Sequence, residues 1–332
     1  ASPAELPPEA LAAAREMQGE AARRLAAAAC PPLAEQDALL LLIKMQMNAF
    51  ESGVYVELAM VNHACFPNCI KFGPGERCHS GQKGATWSRA SEIVAARDIE
   101  EGEEITISFL GPQERSAAAR ARLFRQQHLV EIVQPPGAPS SIALEALLPE
   151  GEAGDGASML EDLEAQLDGL GGPSSRPTAA SAELAGLLAL ERRAAAWLHP
   201  RHLVLCRLRR ALARAARSAL AAAPDVEVAL ALVRACWEVR ETQLLFLPRT
   251  HLDVAETADD LAAGLAAALA ADRARLFAEF PEAYGDFTAA SAAEAACRRE
   301  ALDIRALYEA GKRCAAPPPP PSAPPVAAAA AA

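Results

Sequence analysis

Aromatic side chains are scarce in this sequence: nine Phe, three Trp and only three Tyr among 332 residues. Any core must therefore lean on Leu and Val, with few rings to anchor it. A basic surplus is also missing, because 32 Lys and Arg face 43 Asp and Glu, for a net charge of −11. That balance argues against a dedicated nucleic-acid binder, which needs cations to neutralise phosphates. It equally disfavours docking on an anionic membrane. The apolar run Ala38 to Ile43 is far too short to span a bilayer. Residues 1–18 mix Glu, Arg and Pro without the basic-then-apolar order of a signal peptide. Glycine shows no three-residue period and apolar residues no sustained heptads, which removes collagen and coiled coil. Eight Cys in so long a chain make no disulfide scaffold. Most read as reduced core residues of an intracellular protein, in cytoplasm or nucleus.

What is abundant is alanine, 80 residues of it. Alanine favours helix and packs weakly. Residues 9–30 and 34–50 read as two helices separated by Pro31 and Pro32, the second with a Leu39, Leu42, Ile43, Met47 stripe. Gly53 to Val61 and Ser91 to Leu110 are richer in Val, Ile and Thr and read as strands with glycine-bearing loops. Gly102 signals a turn before Glu103 to Phe109, whose alternation predicts a half-buried strand. Residues 113–129 return to helix. From 134 to 181 the chain is rich in Pro, Gly and Ser, a linker or insertion with one possible helix at 157–169. Residues 182–314 are helical throughout, with stripes at Val226, Leu230, Val233, Trp237 and at Leu261, Leu265, Leu269. They suggest stacked helix pairs of tetratricopeptide type without a clean 34-residue repeat. The Pro/Ala tail, residues 315–332, is composed for disorder.

Chemistry concentrates in Asn62-His63-Ala64-Cys65-Phe66-Pro67-Asn68-Cys69, followed by Cys78-His79. Two readings stand side by side. One is a zinc site from Cys65, Cys69, Cys78 and His79 or His63, though without paired C-x2-C knuckles. The other is a tight Asn/Pro turn lined with buried thiols.

Asn62-His63-x-Cys65-x-Pro67-Asn68 resembles the NHxCxPN motif of SET-domain methyltransferases. About 40 residues on, Gly102-Glu103-Glu104-Ile105-Thr106-Ile107-Ser108-Phe109 resembles that family's GEExxxxY motif. Asn48-Ala49-Phe50 is similar to the N-x-F of the SET-MYND subgroup, and Arg120 to His128 to the basic helix that follows there. The resemblance covers roughly residues 44–132 and, more loosely, the helical remainder. It implies an α+β fold, mainly α: a partial SET (β-clip) unit with short strands, then an all-helical, tetratricopeptide-like domain. The implied division is a helical lead-in at 1–47, the C-terminal portion of a SET domain at 48–133, the linker at 134–181, the helical domain at 182–314 and the tail.

The implied function is S-adenosylmethionine-dependent methylation of a protein lysine, with Asn48, Asn62, His63 and Phe109 as cofactor-binding positions. Glu103 and Glu104 are expected to support the fold through hydrogen bonds. The implied partners are a protein with an accessible lysine, such as a histone, and a further protein on the helical domain.

Three departures qualify this picture. Phe109 stands at the catalytic position where the family has Tyr, and a positioned hydroxyl contributes about 10²–10⁴ in rate when it works like other polar catalytic groups. Tyr55, the one tyrosine of this region, has nothing in its position to recommend it as a substitute. The family's later zinc cysteines align with Ile132, Gln134 and Gly137, leaving Cys65 without zinc partners, and Val130 replaces an aromatic against the cofactor. The family's glycine-bearing cofactor loop has no counterpart in Ala1 to Met47. The alternative expectation is a catalytically inactive SET-like protein whose helical half is an interaction module.

Overall fold

The structure is a computed structural model describing residues 8–29, 31–50, 53–54, 57–72, 92–110, 115–128, 142–148, 155–169 and 177–310. Helices α1 (Pro8–Ala28) and α2 (Glu35–Asn48) pack on each other around Ala14, Ala22, Leu39 and Ile43. Alanine at the contact brings the two backbones close, and Leu39 and Ile43 supply the apolar area. Among the described residues six short strands follow: β1 (Ala49–Phe50), β2 (Gly53–Val54), β3 (Asn62–His63), β4 (Cys69–Phe72), β5 (Glu92–Ala95) and β6 (Thr106–Ile107). They pair two by two. β1 and β2 are antiparallel, as are β4 and β5, while β3 runs parallel to β6 with Asn62 opposite Thr106 and His63 opposite Ile107.

The strand expected from Glu103 to Phe109 shrinks to Thr106–Ile107. Gly102 sits at φ 84°, a conformation only glycine adopts cheaply, and Glu103 closes the turn onto the Glu100 carbonyl at 3.0 Å. Glu103 to Ile105 are then committed to that turn and to Asn68, not to a ladder. Val61, expected in strand, instead follows a 3-10 turn at Leu58–Met60.

Helix α3 (Ala117–His128) is capped by Ser116, whose hydroxyl accepts from the Ala119 amide at 3.2 Å. α4 (Ile142–Glu145) and α5 (Gly156–Gly169) lie in the Pro/Gly/Ser-rich stretch. Leu163 and Leu167 of α5 enter the main helical core, and Glu164 holds the Ser116 amide and hydroxyl at 2.9 and 2.8 Å. Helices α6 (Pro177–Ala194), α7 (Leu203–Ala222), α8 (Val226–Gln243), α9 (Leu252–Glu279), α10 (Pro281–Tyr284) and α11 (Phe287–Ala310) complete the fold. α6 packs on α7, α7 on α8, α8 on α9 and α9 on α11. Pro200 and Pro224 both lie outside helices; the N-caps are His202, Asp225 and His251. With 72% of the described residues in helix, the chain is mainly α with a few short strands, the α+β class that the sequence predicts. Among the described residues no helix is long and apolar enough to cross a membrane.

The strands dock on the helices through one apolar cluster. Phe72 of β4 joins Leu203, Phe246, Leu247, Val254, Ile304 and Tyr308, with Phe66, Ile70 and Val94 packed alongside. The Tyr308 hydroxyl donates to the Thr250 carbonyl at 2.7 Å, and the Thr250 hydroxyl donates to the carbonyl of Ala96, just past β5. These contacts join the motif region to the helical half.

Candidate functional site

The two motifs meet through Asn68, which is 2% exposed. Its amide nitrogen donates to the Glu103 carboxylate at 3.0 Å and to the Glu104 carbonyl at 2.9 Å. Its amide oxygen accepts from the Thr106 backbone at 2.9 Å and from the Thr106 hydroxyl at 3.4 Å. The Asn68 backbone N–H in turn donates to that hydroxyl at 3.3 Å. A buried amide with both ends satisfied fixes a register across 38 residues of chain.

Glu103 is pinned by Arg97, by Asn68 and by the Glu100 amide at 3.1 Å. These partners, Arg97 first, hold its carboxyl down at about 2. Glu104 accepts from the Asn62 side chain at 2.5 Å. Both carboxylates are structural, as the sequence suggests.

His63 follows Asn62 on β3. Its Nδ1 accepts from the Phe109 backbone N–H at 3.1 Å, so in the neutral ring the proton sits on Nε2, 3.8 Å from the Cys65 sulfur. Burial foremost, and then the charges of His128 and Arg120, push His63 down to about 4, against a smaller opposing effect of the Ile107 backbone. The imidazole is therefore neutral near pH 7.

Around His63 an aromatic box closes. Its ring stacks on Phe124 at 4.6 Å and lies 5.6 Å from Phe109. His128 lies 5.2 Å from Phe109 and 4.7 Å from Phe124. Phe124 and His128 are four residues apart on α3 and share a face. Arg120, one turn before Phe124, is buried rather than part of a solvated basic face. It pairs with Glu145 at 3.0 Å and lies over the Phe66 ring at 5.5 Å.

The structure thus brings His63, Phe109 and Cys65 together and places Asn62 beside them on an exposed edge. Asn48 ends α2, and its side chain lies outside the described residues, as do Tyr55, Cys78, His79, Val130, Ile132, Gln134 and Gly137. Cys65 and Cys69 are buried thiols. Among the described residues no group of three or more His, Cys, Asp or Glu is placed to hold a metal ion. Cys78 and His79, the other donors of the possible zinc site, lie outside the described residues, and no step is assigned to a metal. Phe124 and His128 escaped the sequence reading. The i, i+4 spacing of two rings on α3 was the available signal.

No curated protein matches the chain. The family model described as SET domain matches residues 11–110, a span that takes in most of α1, all of α2 and the six described strands. The match reaches well before the motifs, to within the first helix. It supports a SET-domain family for this portion of the chain, the portion in which Asn68 and His63 lock the two motifs together.

Proposed function

We propose that this protein is an S-adenosylmethionine-dependent protein-lysine methyltransferase of SET-MYND type, with the helical half as a tetratricopeptide-like partner module. The observation that supports it is the join of the two motifs inside the matched span: Asn68 to Thr106, and His63 to Phe109. When bound, the cofactor supplies an electrophilic methyl group on a sulfonium.

The residues present fit its polar end. Asn62 gives one amide hydrogen to Glu104 and, being exposed, offers its amide oxygen to an ammonium and its remaining N–H to a carboxylate. The backbone of β3 carries that amide on a strand fixed by β6, so Asn62 is pre-positioned. The side chain of His63 serves the fold, leaving its backbone as the part available to a ligand. Phe109 supplies an apolar wall that excludes water near a reacting amine, but no hydroxyl to orient it.

The net charge of −11 suits a basic, lysine-bearing protein segment such as a histone tail. A second reading, a catalytically inactive SET-like interaction protein, is favoured by one residue, Phe109. Calorimetric titration with S-adenosylmethionine and radiolabelled methyl transfer to histones separate the two. The methyltransferase reading expects sub-millimolar binding and slow transfer, raised about tenfold or more by Phe109→Tyr. Absence of cofactor binding sinks it; binding without transfer in either protein selects the inactive reading.

A further inference from the structure

We propose that the groove between α5 and α6 is a docking site for a polyproline helix, and that its occupant is this chain's own segment 317–325. The proposal stands apart from the methyltransferase reading. The groove is half-open, with a volume of about 350 Å³. Met159, Leu163 and Gln166 line one wall from α5, and Leu190, Arg193 and Trp197 line the other, from α6 and the turn after it. Positions 159, 163 and 166 recur at helical spacing and so share a face of α5. The walls are largely apolar and their charges cancel, since Arg193 is the one base and Asp162 the one acid among the lining residues.

Trp197 points to the chemistry of the ligand. The residue is only 8% exposed, yet among the described residues its indole N–H makes no hydrogen bond. That nitrogen is not sealed from solvent either, so it opens onto the groove that the ring lines. A buried indole N–H ordinarily finds an acceptor. The side chains of Gln166 and Arg193, both exposed, add donors with no partner among the described residues. An apolar groove with unspent donors calls for a ligand that is apolar and brings acceptors without donors. A polyproline helix has that character: proline lacks an N–H, its ring is apolar, and the helix leaves its carbonyls unbonded. Segment 317–325 reads Pro-Pro-Pro-Pro-Pro-Ser-Ala-Pro-Pro, with no ionisable side chain to oppose a groove of balanced charge.

Dimensions and reach agree. A polyproline turn of three residues rises about 9 Å, and Met159 to Gln166 spans about 10 Å along α5. Five consecutive prolines supply more than one such turn. Tyr308, near the end of α11, shares an apolar cluster with Leu144. Four residues after Leu144, the Leu148 N–H donates to the Trp197 carbonyl at 2.8 Å. Pro317 lies seven residues beyond Ala310, a span of up to about 25 Å when extended. Tethering raises the local concentration of the segment to about millimolar, so a Kd of about 0.1 mM keeps the groove roughly nine-tenths filled. Proline's fixed φ also lowers the cost of ordering it.

Heteronuclear NMR of the full chain reads the Trp197 indole N–H directly, its signal assigned by its loss in Trp197→Phe. Trp237, packed edge-on to Tyr284, is the reference. The comparison chain carries Pro317→Gly, Pro318→Gly, Pro319→Gly, Pro320→Gly and Pro321→Gly, which keep the length and remove the polyproline preference. In it the Trp197 signal should move upfield and exchange with water about tenfold faster, with Trp237 unmoved. Added peptide of sequence 317–325 should restore the wild-type position. It should bind the wild-type chain at least about tenfold more weakly, because the tethered copy competes. Met159→Ala, at a side chain 42% exposed, should weaken peptide binding about tenfold in the glycine chain. Identical Trp197 signals in the two chains overturn the proposal. So does equal peptide binding by both, which gives the groove to a proline-rich partner instead. A Trp197 signal that changes on dilution overturns it too, by placing the segment on a second copy.

Discussion

At the scale of single residues, Asn68 carries more of the site than any residue that faces a ligand. The amide is 2% exposed and joins Glu103, Glu104 and Thr106 across a gap of more than thirty residues. Deleting it takes the side-chain acceptor from the buried Thr106 amide and the side-chain donor from the Glu104 carbonyl. Asn68→Ala should therefore cost on the order of 3 kcal/mol, seen as a lower urea midpoint. Asn68→Asp should be no better, since it replaces the donating nitrogen with an oxygen facing the Glu103 carboxylate. A midpoint within experimental error of wild type in both variants would show that the join is dispensable. His63 teaches a related lesson: the residue type in the motif is legible, but the atom that matters is not. Its Nδ1 is occupied by the Phe109 N–H, a partner 46 residues away. No local pattern contains that pairing.

At the scale of elements, helix contacts depend on small residues as much as on leucine stripes. Gly264 of α9 faces α8 so closely that an added Cβ would meet the Val233 side chain at 3.0 Å, Leu232 at 3.2 Å and the Val233 backbone nitrogen at 3.3 Å. Gly264→Ala gains about 1 kcal/mol of helix propensity but overpacks a contact that includes backbone, a loss of about 1–3 kcal/mol. We expect a lower melting temperature. Gly186→Ala, with nothing within 4 Å of the added carbon, should raise it. Equal shifts of the two variants would contradict the close approach.

The helices themselves were legible in the sequence, because Leu230, Val233, Leu261 and Leu265 repeat at helical spacing and are all buried. The short strands were less so. Two-residue pairs such as β3 and β6 carry no period to detect, and what fixes them is a side-chain lock rather than propensity. The turns before α7 and α9 were also passed over as a repeat. Pro200-Arg201-His202-Leu203 and Pro248-Arg249-Thr250-His251-Leu252 each deliver a histidine whose Nδ1 accepts from the backbone N–H two residues on, at 3.1 Å. The shared chemistry is a helix cap, which a search for a fixed repeat length misses because Thr250 shifts the spacing by one.

For the whole molecule, buried imidazoles set how stability answers to acid. His202 is 0% exposed; its Nδ1 caps α7, and its Nε2 has no partner. Burial first, then the charges of His199 and Arg120, push its pKa down to about 4, and His63 is held near the same value by burial. Both imidazoles ionise near 6.5 in the unfolded chain. Between about pH 4 and 6.5 the unfolded state therefore binds more protons than the folded one, and stability rises with pH across that window. It is fully present above 6.5, is lost progressively as pH falls, and the loss is complete below about 4. For His202 the loss is on the order of 3 kcal/mol, since each tenfold change in proton affinity is about 1.4 kcal/mol. His63 adds a smaller loss, its ring being partly open to solvent. Glu103, held at about 2, is lost only as pH falls from its unfolded value of 4.5 toward 2, so most of the upper part of the window belongs to the imidazoles. Urea unfolding between pH 4.5 and 7.5 should show the midpoint falling as pH drops below 6.5. His202→Asn retains a side-chain acceptor for the Val204 amide and removes the ionisation, so its midpoint should depend less on pH whatever its absolute stability. If His202→Asn follows the wild-type slope, acid sensitivity in this window comes from groups other than the histidine at the head of α7.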